Sequence, residues 1–317
     1  MLDIVTLGEP MIQLNALTTG PLRHVGYFER HVAGAEANVC VAASRMGLRA
    51  GLISKVGDDE FGKCVLATLR GEGVDVTQLQ VEKKGFTGVY FIQRGYPVPG
   101  RSKVFYYRKG SSASKLGPKD LDEEYIASSK LLYLTGITPA LSKSCLQACG
   151  EAADIAKRAG LKVAFDTNIR PSLWLDQDPR KALQPLLYKA DIVFTESSET
   201  RLLMDEGNPA KAARKLMAKG ASVVVMKGGE KETVAYSDDE VHRQSAFDVP
   251  VVDPVGAGDA FGSVFVSGYL KGWKIKDCLA AANVAGSLVV MTRGDQENIP
   301  TESDIADFLK AQENRDK

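Results

Sequence analysis

A short glycine-rich segment in the last third of the chain carries the residues best suited to chemistry. Gly256, Ala257 and Gly258 precede Asp259, and a helix is predicted to begin at about Asp259. Glycines let successive backbone amides converge, and a helix N-terminus carries partial positive charge, so the segment predicts an anion site. A carboxylate there suits a base that takes a proton from an attacking hydroxyl while the amides absorb charge on a phosphoryl group. We therefore predict Asp259 as the catalytic base, kept ionised by the helix dipole.

Other interpretations of the glycine-rich segments compete with this one. An aspartate in the first turn of a helix is common, so Asp259 taken alone is also compatible with a structural role. Gly262 falls one residue too late for the dinucleotide pattern G-x-G-x-x-G. The segment 57–64 has P-loop spacing, but Cys64 replaces the required Ser or Thr and three consecutive acids would repel phosphates. We predict a turn into a helix at that segment.

Short β-branched runs, each followed by a helix-length segment, must position these residues. This alternation predicts an α/β fold with a doubly wound, mostly parallel sheet and helices on both faces. Ligands of such sheets bind beyond the carboxyl ends of the strands. The predicted strands are 3–7, 51–56, 131–134, 162–165, 191–194 and 222–226.

Two segments, about 11–32 and 86–109, break this rhythm because they show strands and turns without helices between them. The second contains the turn sequence YPVPG between two runs with alternating aromatics, which is typical of a β-hairpin. We expect the two segments to form a small antiparallel β-sheet lid that covers the ligand edge and excludes water. No linker is visible, so residues 1–317 are predicted to form a single domain.

The composition excludes several classes of function. Forty lysines and arginines balance forty aspartates and glutamates, so no global field favours nucleic acid or an anionic membrane. The five cysteines are dispersed, and Cys145 and Cys149, four residues apart on a predicted helix, have no histidine nearby to complete a metal site. The N-terminus lacks a basic n-region and no apolar run approaches about 20 residues, so we expect a cytoplasmic protein.

Three motifs, found in the expected order, are similar to those of the ribokinase/PfkB carbohydrate kinases. They are VAGAEANVC at 32–40, VGDDEFG at 56–62 and DPVGAGDAF at 253–261. The first resembles the G-G-x-x-x-N motif of the family, and the last its D-T-x-G-A-G-D signature with Pro254 in place of threonine. The resemblance covers nearly the whole chain and implies a ribokinase-like kinase that uses ATP and Mg²⁺.

Within this family, the chain most resembles the archaeal-type 2-keto-3-deoxygluconate kinases. The segments that carry this likeness are 8–10, 88–97, 106–110 and 166–171. It implies phosphorylation of the 6-hydroxyl of that sugar acid, with the galactonate epimer as a further candidate. A sugar acid carries a carboxylate, which arginine binds with paired hydrogen bonds. Tyr106 and Arg108 are two residues apart on a predicted strand and so face the same side.

The resemblance also implies roles for individual residues. Those implied to bind the sugar are Gly34, Asn38, Tyr90, Tyr106, Arg108, Arg170, Asp259 and Asp295. Those implied to bind the nucleotide are Asn168, Glu196, Lys227, Gly229, Gly256, Gly258 and Asn283. Glu199 is a candidate magnesium ligand through water, and a monovalent cation is a further candidate cofactor. Each Tyr or Arg is also compatible with the outer face of a hairpin, and Asp295 with a solvated turn.

Two positions depart from the family pattern. The family's N-x-x-E, which organises magnesium, is replaced by Glu196-Ser197-Ser198-Glu199, with an acid in place of the amide. The nucleotide turn has Glu232 where the family's G-x-x-G has its second glycine. A carboxylate beside phosphates opposes their binding, so Glu232 marks a weak point of the resemblance.

Two other functions stay open at this point. One is a kinase of the same family for a neutral sugar or a nucleoside, and the other is a non-catalytic sugar or nucleotide sensor on a kinase fold. The expected partners are small molecules, without nucleic acid or membrane. A homo-oligomer is also expected, because exposed strand edges of a lid pair between subunits.

Overall fold

The computed structural model describes residues 1–175, 177–238 and 240–315. The strands found there are β1 (Ile4–Leu7), β2 (Met11–Thr19), β3 (Phe28–Ala33), β4 (Ala50–Gly57), β5 (Leu79–Glu82), β6 (Val89–Arg94), β7 (Ser102–Tyr107), β8 (Leu131–Thr135), β9 (Lys162–Asp166), β10 (Ile192–Thr195), β11 (Val223–Met226), β12 (Glu232–Ser237) and β13 (Glu240–Ser245). The α-helices are α1 (Ala35–Arg45), α2 (Glu60–Gly71), α3 (Glu123–Ala127), α4 (Thr138–Leu141), α5 (Lys143–Arg158), α6 (Pro179–Leu187), α7 (Ser197–Met204), α8 (Pro209–Met217), α9 (Ala257–Leu270), α10 (Ile275–Val289) and α11 (Glu302–Arg315).

The large sheet has the order β13-β12-β11-β10-β9-β8-β1-β4-β5. The seven strands from β11 to β5 are parallel to their neighbours, and β12 and β13 extend the sheet as an antiparallel hairpin. All six predicted strands are confirmed, with ends that differ by one residue at most. Because these strands are parallel, their carboxyl ends meet at one edge, where the chemistry-bearing residues lie.

Buried side chains lie on both faces of this sheet, as expected for a doubly wound fold. Along β8, Leu131 and Tyr133 pack on one face, which α1, α2, α9, α10 and α11 cover. Leu132 and Leu134 pack on the other face, under α3, α5, α6, α7 and α8. Alternate residues of a strand point to opposite faces, so continuous apolar runs are needed here. The predicted helices on both faces are therefore confirmed.

Aromatic packing fixes helix α9 on the sheet. Phe194 of β10 meets Phe265 of α9 edge to face, with ring centroids 5.4 Å apart, and also contacts Phe261. Both Phe194 and Phe265 are fully buried, and each such ring contributes about 2 kcal/mol of hydrophobic free energy. The first turn of α9, which carries Asp259, is thereby held at the carboxyl edge of the strands.

The lid is a separate four-stranded sheet with the order β3-β2-β6-β7. Its β6–β7 hairpin is antiparallel, as predicted, and β2–β3 is also antiparallel. The central pair β2–β6 is parallel, so the prediction of a wholly antiparallel lid was wrong. The amide of Ile12 donates to the Gly88 carbonyl at 3.1 Å, next to the first residue pair of this parallel ladder.

Two smaller predictions are confirmed. Segment 57–64 is a turn into α2, whose N-cap Asp59 accepts a hydrogen bond from the amide of Gly62 at 2.7 Å. Cys145 and Cys149 are buried on α5. Across the part of the chain that is described, no helix is both long and apolar enough to span a bilayer.

Asp59 joins α2 to the lid, so Asp59→Ala should destabilise the fold. Its carboxylate also accepts the amide of Thr87 at 2.8 Å and the Thr87 hydroxyl at 2.9 Å. We expect the free energy of unfolding, measured by urea titration, to fall by about 1–2 kcal/mol, the range for a lost cap. Partial burial raises the pKa of Asp59, but the bonds from Gly62 and Thr87 lower it by more. The contribution is therefore present at neutral pH and should disappear as the pH falls below about 4. An equal loss at pH 7 and pH 2 would contradict this account.

Candidate active site

The glycine turn at the start of α9 has the geometry of an anion site. Gly256 is the N-cap with φ 85°, and a Cβ there would lie 2.8 Å from the Asp295 carbonyl oxygen, so only glycine fits. The helix begins at Ala257, two residues earlier than predicted, because the turn already has helical geometry there. Within the described chain, the amides of Ala257 and Gly258 donate no hydrogen bond. They are available to an anion at the positive end of the helix.

Asp259 lies in this first turn as a buried carboxylate with two amide partners. Asn38 Nδ2 donates to Oδ2 at 2.9 Å and Asn168 Nδ2 donates to Oδ1 at 3.2 Å. Burial raises the pKa of Asp259, and the lowering effects of Asn38, Arg170 and Lys227 do not cancel it. This effect of burial opposes that of the helix dipole, which was expected to keep Asp259 ionised. A raised pKa makes this carboxylate a stronger proton acceptor than an ordinary aspartate.

Asn38 links Asp259 to a second carboxylate. Its Nδ2 also donates to Asp295 Oδ2 at 3.1 Å, and its Oδ1 accepts from Gln296 Nε2 at 3.1 Å. Asp295 is 3% exposed, so it is not a solvated turn residue. Burial and the nearby charge of Asp259 raise the pKa of Asp295 to about 7. The two acids and one amide form a single polar cluster.

The lid closes over this cluster with a row of aligned side chains. Gln13 of β2 is in register with Tyr90 of β6, and Tyr90 with Tyr106 of β7. Gln13 Nε2 donates to Asp295 Oδ1 at 2.6 Å and to the Tyr90 hydroxyl at 2.8 Å, while that hydroxyl donates to Asp295 at 3.1 Å. Sequence reasoning missed Gln13. Its signal was the polar alternation in Met11-Ile12-Gln13-Leu14-Asn15, which puts buried amides on one face of a lid strand.

Arg108 is held at the base of the lid by Glu9, a pairing that the sequence analysis did not predict. Its Nε donates to Glu9 Oε2 at 2.6 Å, both side chains are buried, and the guanidinium lies 5.3 Å from the centre of the Tyr106 ring. The Ser111 hydroxyl donates to the other Glu9 oxygen. Tyr106 and Arg108 do share a side, as predicted, but Arg108 is not a free cation. Gly34, with φ 118°, packs so closely that a Cβ would lie 2.4 Å from the Glu9 carbonyl oxygen.

Beside the glycine turn lies a cavity of about 800 Å³, which Ala257 and Gly258 line. It has an apolar end near Phe247, Val249 and Val290 and a polar end at the glycine turn. Its volume lies in the range of pockets for small molecules. The predicted nucleotide-binding residues that line it are Asn168, Glu196, Lys227, Gly229, Gly258 and Asn283, together with Glu199. Gly256 is not among the lining residues.

Cations line the polar end of this cavity. Lys227 forms an ion pair with the buried Asp166, at 2.7 Å from Oδ1. Arg170 is exposed, lines the cavity and makes no ion pair with any described residue. The structure thus places Arg170 on the cavity side of Asp259, whose pKa its charge lowers. Its assignment to the carboxylate end of a sugar stays a prediction.

The two acidic departures from the family pattern, Glu232 and Glu196, lie in different surroundings. Glu232 forms an ion pair with Arg243 at 2.6 Å on the β12–β13 hairpin and is not among the residues that line the cavity. Glu199 accepts the amides of Ile169 at 2.7 Å and Glu196 at 3.0 Å, which fixes the start of α7. The Glu196 side chain is exposed in the cavity.

The donor set fits magnesium brought with a nucleotide. In the described ranges, no cluster of three or more His, Cys, Asp or Glu side chains has the geometry to hold a metal ion. Mg²⁺ usually binds through one or two carboxylates, several waters and the substrate phosphates. Glu196 and Glu199, at the polar end of the cavity, match that mode.

Residues 1–302 match the model of the pfkB family carbohydrate kinases. The chain belongs to this family. It is 45% identical to a 2-dehydro-3-deoxygluconokinase of Thermoproteus tenax, over 98% of this chain and 95% of the relative. It is 37% identical to a 2-dehydro-3-deoxygluconokinase of Bacillus subtilis, over 98% and 96%. A ribokinase II-type protein from E. coli, solved with ATP and Mg²⁺, superposes with a TM-score of 0.92 at 27% identity, covering 98% of this chain and all of that one.

The Glu9–Arg108 pair predicts a measurable effect in this pfkB-family kinase. Glu9→Gln leaves the Arg108 cation buried without a counter-charge, and we expect the free energy of unfolding to fall by about 3 kcal/mol. The control is Glu60→Gln, since Glu60 pairs with Lys63 on the surface and is 87% exposed. That change should alter stability by less than about 1 kcal/mol. Equal losses in the two variants, measured by urea titration, would refute a special role for Glu9.

Proposed function

We propose that this chain transfers the terminal phosphoryl group of ATP to the 6-hydroxyl of 2-keto-3-deoxygluconate, giving 2-keto-3-deoxy-6-phosphogluconate and ADP. One observation carries the proposal. Asp259 is a buried carboxylate between the Asn38–Asp295–Tyr90 cluster under the lid and a cavity whose nearest amides, on Ala257 and Gly258, are free. An acceptor hydroxyl and a phosphate can therefore meet at one carboxylate.

The sugar binds on one side of Asp259 and the phosphoryl group on the other. On the lid side, Asn38, Tyr90 and Asp295 offer hydrogen-bond partners to sugar hydroxyls. On the cavity side, the amides of Ala257 and Gly258 face the phosphoryl group. Asp259 accepts the proton of the attacking hydroxyl as the phosphorus–oxygen bond to ADP breaks, and the amides stabilise the transferring group. Magnesium, when bound with the nucleotide, neutralises phosphate charge, and Glu196 and Glu199 would hold it through its waters.

The choice of a sugar acid is supported by charge and by the named relatives. Arg170 lies close to Asp259 without an ion-pair partner among the described residues, so it can meet an anionic substrate or phosphate. The two relatives at 45% and 37% identity carry the name of this activity, since 2-dehydro and 2-keto denote the same group. Use of the galactonate epimer, a monovalent cation and a homo-oligomeric state stay predictions.

Replacing the base should separate chemistry from binding. Asp259→Asn should lower kcat by about 10³-fold, within the range for lost general base catalysis, because the amide cannot accept the proton. Sugar binding, measured by calorimetry, should change by less than about threefold, because the amide keeps one oxygen as a hydrogen-bond acceptor.

The matched control is Asp277→Asn, since Asp277 is an exposed aspartate in the first turn of α10. It should leave kcat unchanged. A near-normal kcat in Asp259→Asn would show that Asp259 is, like Asp277, only a helix-terminal acid.

A substrate competition tests the sugar. With ATP and Mg²⁺, we expect kcat/KM for 2-keto-3-deoxygluconate to exceed that for fructose, ribose and adenosine by at least about 100-fold, because a neutral acceptor offers Arg170 no anionic partner. The measurement is ADP release with each acceptor at equal concentration. A preference for a neutral acceptor would point to another kinase of the family. Binding of both ligands without ADP release would point to a sensor.

A further inference from the structure

A buried ion pair spans the carboxyl edge of the sheet below the cavity. Asp166 ends β9, and Lys227 follows β11, with β10 between them. Lys227 Nζ lies 2.7 and 2.9 Å from the two carboxylate oxygens of Asp166. Asp166 is 1% exposed and the Lys227 side chain 13%. Burial raises the pKa of Asp166 to about 6 against the opposing effect of Lys227, so the carboxylate depends on its partner.

The same carboxylate shapes the turn that carries Asn168. The amide of Asn168 donates to Asp166 Oδ1 at 3.1 Å. Asn168 has φ 31°, a conformation that non-glycine residues adopt rarely and only when their surroundings hold them there. This conformation directs Asn168 Nδ2 to Asp259 Oδ1 at 3.2 Å. Asp166 therefore acts on the environment of the base without touching it.

Lys227 ends beside the anion site. A Cβ placed on Gly258 would lie 3.9 Å from Lys227 Nζ, so the ammonium lies close to the glycine turn. Lysine is a mobile point charge on a flexible stem, and the nearby acids Glu196 and Glu199 also attract it. The contact with Asp166 holds the ammonium beside Gly258 and away from Glu196 and Glu199.

We propose that Asp166 is a positioning residue for phosphoryl transfer, which holds the Lys227 ammonium beside the Gly258 amide and sets the turn that aims Asn168 at Asp259. The proposal rests on the kinase function above and adds to it two effects of Asp166, one on Lys227 and one on Asn168. The ammonium faces the transferring group, where charge develops in the transition state. An ammonium that swings toward Glu196 or Glu199 by about 1 Å no longer stabilises that group fully.

Asp166→Asn is the decisive variant. The asparagine oxygen can still accept the Asn168 amide, whereas the charge that holds Lys227 is gone. In the full-length enzyme with ATP, Mg²⁺ and 2-keto-3-deoxygluconate, kcat should fall about 100-fold, the size expected for such a displacement. KM for both substrates should change by less than about threefold. A kcat within about threefold of the parent would overturn the proposal.

A double-mutant cycle with Lys227→Met tests whether the two side chains act as one unit. Each single variant should lose about 100-fold in kcat, and the double variant should lie within about threefold of Lys227→Met. Losses that multiply, to about 10⁴-fold, would overturn the proposal. If Asp166→Asn does not fold, Lys227→Met and the double variant still decide, because the double variant leaves no buried charge without a partner.

A matched ion pair away from the site controls for stability. Lys55 and Asp120 are 2.7 Å apart and similarly buried, with side chains 13% and 8% exposed. Asp120→Asn should lower the melting temperature about as much as Asp166→Asn and leave kcat within about twofold of the parent. An equal loss of kcat in both variants would reduce Asp166 to a stabilising residue and overturn the proposal. A parent enzyme that does not phosphorylate 2-keto-3-deoxygluconate would instead refute the proposed substrate.

Discussion

One side-chain amide holds the site together. Asn38 Nδ2 donates to Asp259 and Asp295, two buried carboxylates, and the charge of Asp259 raises the pKa of Asp295. The shared donor offsets part of that repulsion, and Gln13 and Tyr90 supply the other donors to Asp295. Each of these partners belongs to a different element: α1, α9, the loop after α10 and two lid strands. The need to satisfy buried acids therefore fixes where helix, loop and lid meet.

The features of the fold that local sequence encodes were predictable. Parallel strands buried on both faces require continuous apolar runs, and all six such runs became strands. The glycine turn before Asp259 was predictable because Gly256 occupies a conformation and a space that exclude a side chain. The parallel pairing of β2 and β6 was not, because parallel and antiparallel strands show the same alternation of side chains.

The site was predictable where a motif marks it, and not where a polar residue depends on a distant partner. Asn38, Asp259 and Asp295 converge as the resemblance implied. The roles of Glu9 and Gln13 were not predicted, because their partners Arg108 and Asp295 lie 99 and 282 residues away along the chain. Charge shows the same limit. The sequence does not show whether an arginine such as Arg108 is free to bind a ligand, because its ion-pair partner Glu9 is distant along the chain.

The contacts of Asp295 also bear on which ligands the proposed sugar site selects. Its oxygens accept hydrogen bonds from Asn38, Gln13 and Tyr90, so a sugar hydroxyl that binds there as proposed shares the carboxylate with these donors or replaces one of them. A ligand that replaces every hydrogen bond it displaces loses no hydrogen-bond free energy on binding. A ligand that lacks one of these hydroxyls leaves a buried donor without an acceptor, which costs about 1–3 kcal/mol. Under the proposed function, the donors around Asp295 therefore select among sugars by the hydrogen bonds that a ligand leaves unmade.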